Sequence, residues 1–454
     1  MTQTEFAGYS QQVFLVLQWG QSHRNRMGSN SSPQCWHGIG ALYDQGRARR
    51  GISRAPNPFG DRAEVGTVAA MPTPLPAPAD TLLVPPDRDE SEFLARGFAS
   101  AMRPASGLTD LQRLLIDSVC EAMTGFVVDS STVEPVTAED FARGLARRNE
   151  AFRSRMLQMM LLGALVLRPI PNEVADRIGE FARAMCIDDG MLEVAQRFAA
   201  GQLGLAAFDF QRNGYTAAWS PERSAALHTS AALQDAWSQS VHDAALAEQW
   251  TALEQLPPDS IGRRLFEFYE ARGFEFPGRP GSAPPLLAQH DWVHVLADYG
   301  TRVESELEVF AFIARANDDP RGFSLLAMVV SLFETGYLRT GAGLFEAFPG
   351  QLSQQGMAVR MADAMRRGAI GHGLDGAPDV DFLALDWFAL AHRNVDELRS
   401  EFGIPPKSAA AIAAGSVGPW SPGGISDFQW ESAHARAAAA GRDYEPYGAS
   451  PRGG

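Results

Sequence analysis

Residues 289–316 read QHDWVHVLADYGTRVESELEVFAFIARA, and this stretch decides how the second half of the chain folds. His290 and His294 are four apart, so on a helix they stack on one face within reach of a single ion. Asp291, three before His294, sits on the flank of that face. Two imidazoles beside a carboxylate suit zinc, and with open coordination positions they also suit ferrous iron. A third ligand is expected downstream, where Glu304, Glu306 and Glu308 are the candidates. The spacing predicts a helix over 303–314 with an apolar stripe of Val303, Leu307, Phe310 and Ala314. At about 100° per residue Glu306 falls on that stripe, whereas Glu304 and Glu308 point away from it. A carboxylate turned into a core is costly unless paired or metal-bound, which favours Glu306.

One straight helix cannot supply all these ligands. Glu306 follows His294 by 12 residues, a rise of about 18 Å. The chain must turn back between them, and Tyr299-Gly300-Thr301 is the glycine-containing break available. The expectation is two helices meeting at a metal. The plainer account makes His290 and His294 ordinary polar residues beside a buried glutamate. A bare pair of histidines four apart would support nothing more. The added carboxylate at 291 and the inward Glu306 favour the metal site.

The order His-Asp, two residues, His, eleven residues, Glu also resembles the signature of the Coq4 family of ubiquinone-biosynthesis proteins. His290, Asp291, His294 and Glu306 fill it without a departure. Upstream, LPPDSIGR at 256–263, with Phe268 and Gly273-Phe274, is similar to that family's Leu-Pro-x-x-(Ser/Thr)-x-Gly block. Downstream, Met365-Arg-Arg-Gly368, Trp387, VDELR at 395–399 and Gly403-Ile404-Pro405 resemble its C-terminal end. The resemblance spans 253–406, roughly a third of the chain.

It implies an all-helical, peripheral-membrane protein that handles a polyprenylated aromatic quinone precursor. It also implies oxidative decarboxylation, in which the ring's C1 carboxyl is replaced by hydroxyl. His290, Asp291, His294 and Glu306 would then be both the metal-binding and the catalytic residues, with Asp291 a ligand or a partner orienting a histidine. The expected cofactor is a divalent metal, zinc first, with iron or another first-row ion next. Other quinone-biosynthesis proteins and a homodimer are the further expected partners. The expected location is the cytoplasm, on the inner face of the cell membrane.

Rival readings use the same residues. A lipid-binding scaffold of a quinone-biosynthesis complex, with a structural metal, is the serious competitor. A phosphohydrolase of the HD type needs another His and a later Asp, for which His242 and Asp298 can be proposed. A zincin protease needs HExxH, and Asp291 is too short for that glutamate. His228, His242, His372 and His392 lack partners at ligand spacing and read as structural or surface residues.

The flanking sequence sets limits. The net charge of −15 argues against nucleic acid as a partner. Of 39 basic residues one is a lysine, Lys407, which suggests a GC-rich, bacterial source. Three scattered cysteines, Cys35, Cys120 and Cys186, exclude a CxxC zinc ribbon and argue against a disulfide framework. The longest apolar stretch, 156–167, has 12 residues, short of the roughly 20 needed to span a bilayer, so it reads as a buried helix.

The fold class expected is all-α, two helical bundles in tandem between disordered ends. Residues 1–88 read as Pro-rich and disordered, with Met71 a candidate start; Pro72, Pro74, Pro76 and Pro78 suggest an extended linker. Residues 90–205 read as a helical domain, 206–410 as the metal-site domain, and 411–454 as a flexible Ala/Gly/Pro tail. In the first domain Thr109 and Thr137 are helix caps, Pro171 opens another helix, and Asp188-Asp189-Gly190 is a turn. Helix spacing over 108–200 resembles the tellurite-resistance TerB-type domain, which would give Asp188 and Asp189 a metal role; a solvated turn explains them without one. The apolar run from Phe323 to Phe333 suits either a lipid tunnel or a bundle centre, and Arg263 and Arg264 either an anionic head group or a solvated first turn.

Overall fold

The computed structural model describes residues 86–188, 190–202, 242–283, 285–317, 319, 322–330, 334, 350–377 and 379–452. The expectations for 1–85 lie outside these, as do Cys35, Asp189, His228 and Phe333. Every regular element among the described residues is a helix, as expected. Ser260–Asn394 and Pro422–Ser450 are isolated bridges. No helix among the described residues is long and apolar enough to cross a membrane.

The first bundle comprises α1 (Arg88–Met102), α2 (Asp110–Thr124), α3 (Ala138–Gly144), α4 (Glu150–Leu165), α5 (Asn172–Ala184) and α6 (Gly190–Ala199). The polar residues before the helices do what their chemistry suggests. Thr109 accepts from Gln112 N while the Gln112 side chain returns to Thr109 N. Thr137 and Asn149 cap α3 and α4 with a single bond each, accepting from Asp140 N and Phe152 N. In α4 every residue from Met156 to Leu165 is buried, so the apolar stretch is a core helix.

The second set is α7 (Ala244–Thr251), α8 (Ile261–Arg272), α9 (Pro285–Ala297), α10 (Val303–Ala316), α11 (Gly322–Val329), α12 (Met357–Ile370), α13 (Trp387–Leu390), α14 (Val395–Glu401), α15 (Ala409–Ala413) and α16 (Asp427–Ala439). Both sets belong to one compact unit, Pro72–Gly454. Helix α12 lies against α2 and α11 against α4, and their apolar residues join one continuous core. Across this junction Arg155 donates to the Asn317 carbonyl at 2.6 Å and Arg366 pairs with Glu121 at 2.7 Å.

Helix α10 is the axis of the second set. It packs on α9, α11 and α12, and every residue from Glu304 to Ala316 is buried. The expected single apolar stripe, with Glu304 and Glu308 pointing away, is therefore corrected: neighbours cover α10 on all sides. Glu304 meets Arg302 and Arg452 at 3.6 and 3.5 Å, and Glu308 meets Arg360 at 2.5 Å. The α10–α12 contact is close because Gly368 presents no side chain; a Cβ there would stand 2.3 Å from the Phe312 carbonyl oxygen.

The flexible tail expected over 411–454 is also corrected. Helix α16 opens with a capping box between Ser426 and Gln429 and lies against α8. A Cβ on Gly273 would fall 2.8 Å from the Ala433 Cα, and Ala271, Ile425 and Ala449 form a small apolar cluster. Small residues that read as loose sequence are here the means of close backbone approach.

The break between α9 and α10 falls where expected. Asp298 adopts φ 64°, and Gly300 packs so tightly that a Cβ would lie 2.8 Å from the Gly424 Cα. Gly300 N donates to Val417 O at 3.1 Å and Thr301 N to Gly424 O at 3.0 Å.

Gly368→Ala should cost about 1–3 kcal/mol through overpacking against α10, read as a lower urea midpoint with helix content retained. An unchanged midpoint would show that the contact relaxes freely.

Candidate metal centre

Helix α9 turns His290 and His294 to the same side, with ring centroids 5.1 Å apart. The reversal at 298–302 brings the first turn of α10 back to them. Glu306 then spans the pair, its Oε2 3.5 Å from His290 Nε2 and its Oε1 3.4 Å from His294 Nε2. One donor atom from each of the three residues lies within 4.8 Å of the others. Around a tetrahedral ion with bonds near 2.0–2.2 Å, donor atoms stand about 3.3–3.6 Å apart, so the separations to Glu306 match that edge length.

The hydrogen bonding agrees. His294 Nδ1 faces the Tyr299 carbonyl at 3.2 Å, and His290 Nδ1 faces the Leu287 carbonyl. A carbonyl oxygen can only accept, so each neutral ring carries its proton on Nδ1 and directs the Nε2 lone pair inward. His294 Nε2 and Glu306 Oε1 are buried and make no hydrogen bond. Two opposed orphan atoms in a dry interior are costly unless something else bonds both. The donor set fits a divalent ion.

Asp291 stands beside this triad. Its Oδ1 is 3.5 Å from His290 Nε2, and its Oδ2 accepts from the Tyr269 hydroxyl at 2.6 Å. Of the acidic residues anticipated, Glu304 and Glu308 take no part. Arg263 and Arg264 both pair with Glu267, at 3.0 and 2.6 Å, on a helix capped by Ser260. His372 turns to the Gly373 carbonyl at 2.9 Å.

Two residues near the site had no sequence signal. Tyr269 precedes Asp291 by 22 residues at no recognisable spacing. Arg272, fully buried, donates to Thr301 Oγ1 at 2.8 Å and to the Pro419 and Gly424 carbonyls at 2.9 and 3.0 Å. Its guanidinium lies 3.9 Å over the Phe268 ring, which in turn packs on His294 with centroids 5.5 Å apart. Phe310 covers His290 at 4.9 Å.

Charge balance follows from these contacts. Burial disfavours a charged imidazole at His290, but the Asp291 and Glu306 carboxylates outweigh it and raise the group to about 9. Burial likewise opposes ionisation of Glu306, and the two imidazoles overcome it, holding the carboxyl at about 2. At Asp291 burial prevails over the imidazoles and the Tyr269 hydrogen bond, and the pKa rises. Burial lowers Arg272 to about 9, against the pull of nearby acidic groups that include Asp291 and Glu306.

These shifts fix a pH dependence for the metal-free chain. His290 binds its proton more tightly folded than unfolded, so its contribution is complete below its ordinary value of 6.5 and lost as pH rises through about 9. Glu306 behaves oppositely: its contribution is complete above 4.5 and lost as pH falls through about 2. Chelator-treated protein should therefore melt at lower temperature at pH 9.5 than at pH 6, and His290→Gln should flatten that difference. A wild-type curve as flat as the variant's would contradict the arrangement.

No family model matches the chain, and no curated protein matches it. A solved structure of a candidate ubiquinone biosynthesis protein from Nostoc punctiforme does match, at 17% identity, over 56% of this chain and 98% of that one, with a TM-score of 0.24. A likeness this distant carries no argument about the site.

Proposed function

We propose that the chain is a metal-dependent enzyme of quinone biosynthesis in which His290, His294 and Glu306 hold a divalent ion, zinc first. The single observation that carries this is the convergence of two imidazole Nε2 atoms and one carboxylate, two of the facing atoms being buried orphans. They stand at the spacing by which the sequence resembles the Coq4 family. The proposed reaction replaces the C1 carboxyl of a polyprenylated benzoate by hydroxyl. The ring loses carbon dioxide and gains one oxygen atom, a two-electron oxidation; with dioxygen as the donor, an external two-electron reductant takes the second oxygen atom to water.

A bound ion would supply Lewis acidity toward the ring carboxylate. The chain's own residues do the rest. The Leu287 and Tyr299 carbonyls fix the two imidazoles. Phe268 and Phe310 wall them from water, and Arg272 places a positive charge near the acidic pair. Handling of a prenyl tail, docking on a membrane surface, and association with other quinone-biosynthesis proteins or a second copy belong to the same proposal.

A second reading keeps the ion structural and makes the protein a prenyl-lipid-binding scaffold. It is favoured by the burial of the triad, with His290, His294 and Glu306 only 7%, 0% and 1% exposed.

Purified full-length protein should carry about one metal ion per chain. His294→Ala should abolish that binding with modest loss of helix content, and retained stoichiometric metal would count heavily against the site. Incubated with a prenylated hydroxybenzoate, dioxygen and a two-electron reductant, the wild type should release the carboxyl as carbon dioxide in a metal-dependent way, and Glu306→Gln should not. Prenyl lipid bound without turnover, equally in wild type and His290→Ala, would favour the scaffold.

A further inference from the structure

We infer that Tyr269 is a positioning residue of the metal centre: it ties one oxygen of Asp291 and thereby aims the other at His290. The inference rests on the metal reading above and adds to it a residue outside the His-Asp-His-Glu motif.

Helix α8 contributes Tyr269. Its ring stacks on Phe276, with centroids 5.2 Å apart and planes 10° from parallel. Trp250 and Phe274 close the other sides at 5.3 and 5.6 Å. The ring has two soft torsions and is 1% exposed, so these neighbours hold the hydroxyl in one place. That hydroxyl donates to Asp291 Oδ2 at 2.6 Å, the short distance expected for a charge-assisted bond.

A free carboxylate presents two equivalent oxygens and exchanges them by rotation about its terminal torsion. The phenol removes that equivalence. Oδ2 is held toward α8, and Oδ1 remains 3.5 Å from His290 Nε2. Glu306 Oε2 stands 3.5 Å from the same nitrogen. His290 Nε2 thus faces one carboxylate oxygen from α9 and one from α10. Partners of this kind, which orient a group beside an ion without touching it, commonly set metal affinity.

The test uses the full-length chain with zinc and with cobalt as a coloured substitute. Affinity is measured by chelator competition and ligand geometry by cobalt's visible absorption. Tyr269→Phe removes one oxygen and leaves the ring in its stack. It should weaken zinc binding about 10- to 100-fold and shift the cobalt bands, with far-ultraviolet circular dichroism unchanged. Asp291→Asn should also weaken binding, and adding Tyr269→Phe to it should cost nothing more, because the two act through one oxygen. Unmoved affinity and spectrum in Tyr269→Phe, or fully additive losses in the double variant, would overturn the inference while leaving the metal reading intact. Wild-type protein that binds neither zinc nor cobalt would overturn both.

Discussion

The structure depends on a reversal of the chain within five residues, 298–302. His294 and Glu306 would be about 18 Å apart on one helix, yet their facing atoms are 3.4 Å apart. Asp298 enters the turn in the left-handed region, where Lys407 meets its carboxylate at 3.3 Å. Gly300 and Gly424 then let two backbones touch. Thr301 and Gln429 exchange hydrogen bonds through side chain and main chain. The same turn lends the Tyr299 carbonyl to His294, so the geometry of the loop and the tautomer of the ligand are set together.

Around this turn the protein places an unusual density of charge out of water. Glu304, Glu306, Glu308 and Asp291 are all buried within two helices. Such a core is stable only if each carboxylate meets a specific counterpart. Glu304 and Glu308 have arginines, Asp291 has a tyrosine, and Glu306 has two imidazoles. The set differs in one respect: the arginines and the phenol are donors in every state, whereas neutral imidazoles turned inward by their Nδ1 bonds are acceptors. Glu306 therefore needs either a proton on its imidazole partners or a cation between itself and them.

Much of this was legible in the sequence. Periodicity located α2, α5 and α10 and an apolar run located α4; Thr109, Thr137 and Pro171 marked the starts of α2, α3 and α5, and the one glycine between His294 and Glu306 located the turn. Burial of Glu306 followed from its angle on the helix. Burial of Glu304 and Glu308 did not, because their arginine partners Arg360 and Arg452 are 52 and 148 residues away, and a stripe calculation treats one helix against one core. The C-terminal segment was misread for a related reason. Ala, Gly and Pro offer little apolar area, and the ordinary sign of a buried segment is large apolar side chains. Here the fit is between backbones, with Ala433 against Gly273 and Gly424 against Gly300. Tyr269 and Arg272 act through contacts across the bundle, and no local pattern encodes those.

The dependence of the turn on distant sequence has a consequence for biogenesis. The hydroxyl of Thr301 and the carbonyl it faces on Gly424 are 123 residues apart. On a ribosome that makes about 5–20 residues each second, both imidazoles and the glutamate emerge well before the strap that fastens the bend between them. For that interval the nascent protein offers its donors without the clasp, and closure of the centre waits on synthesis through Gly424.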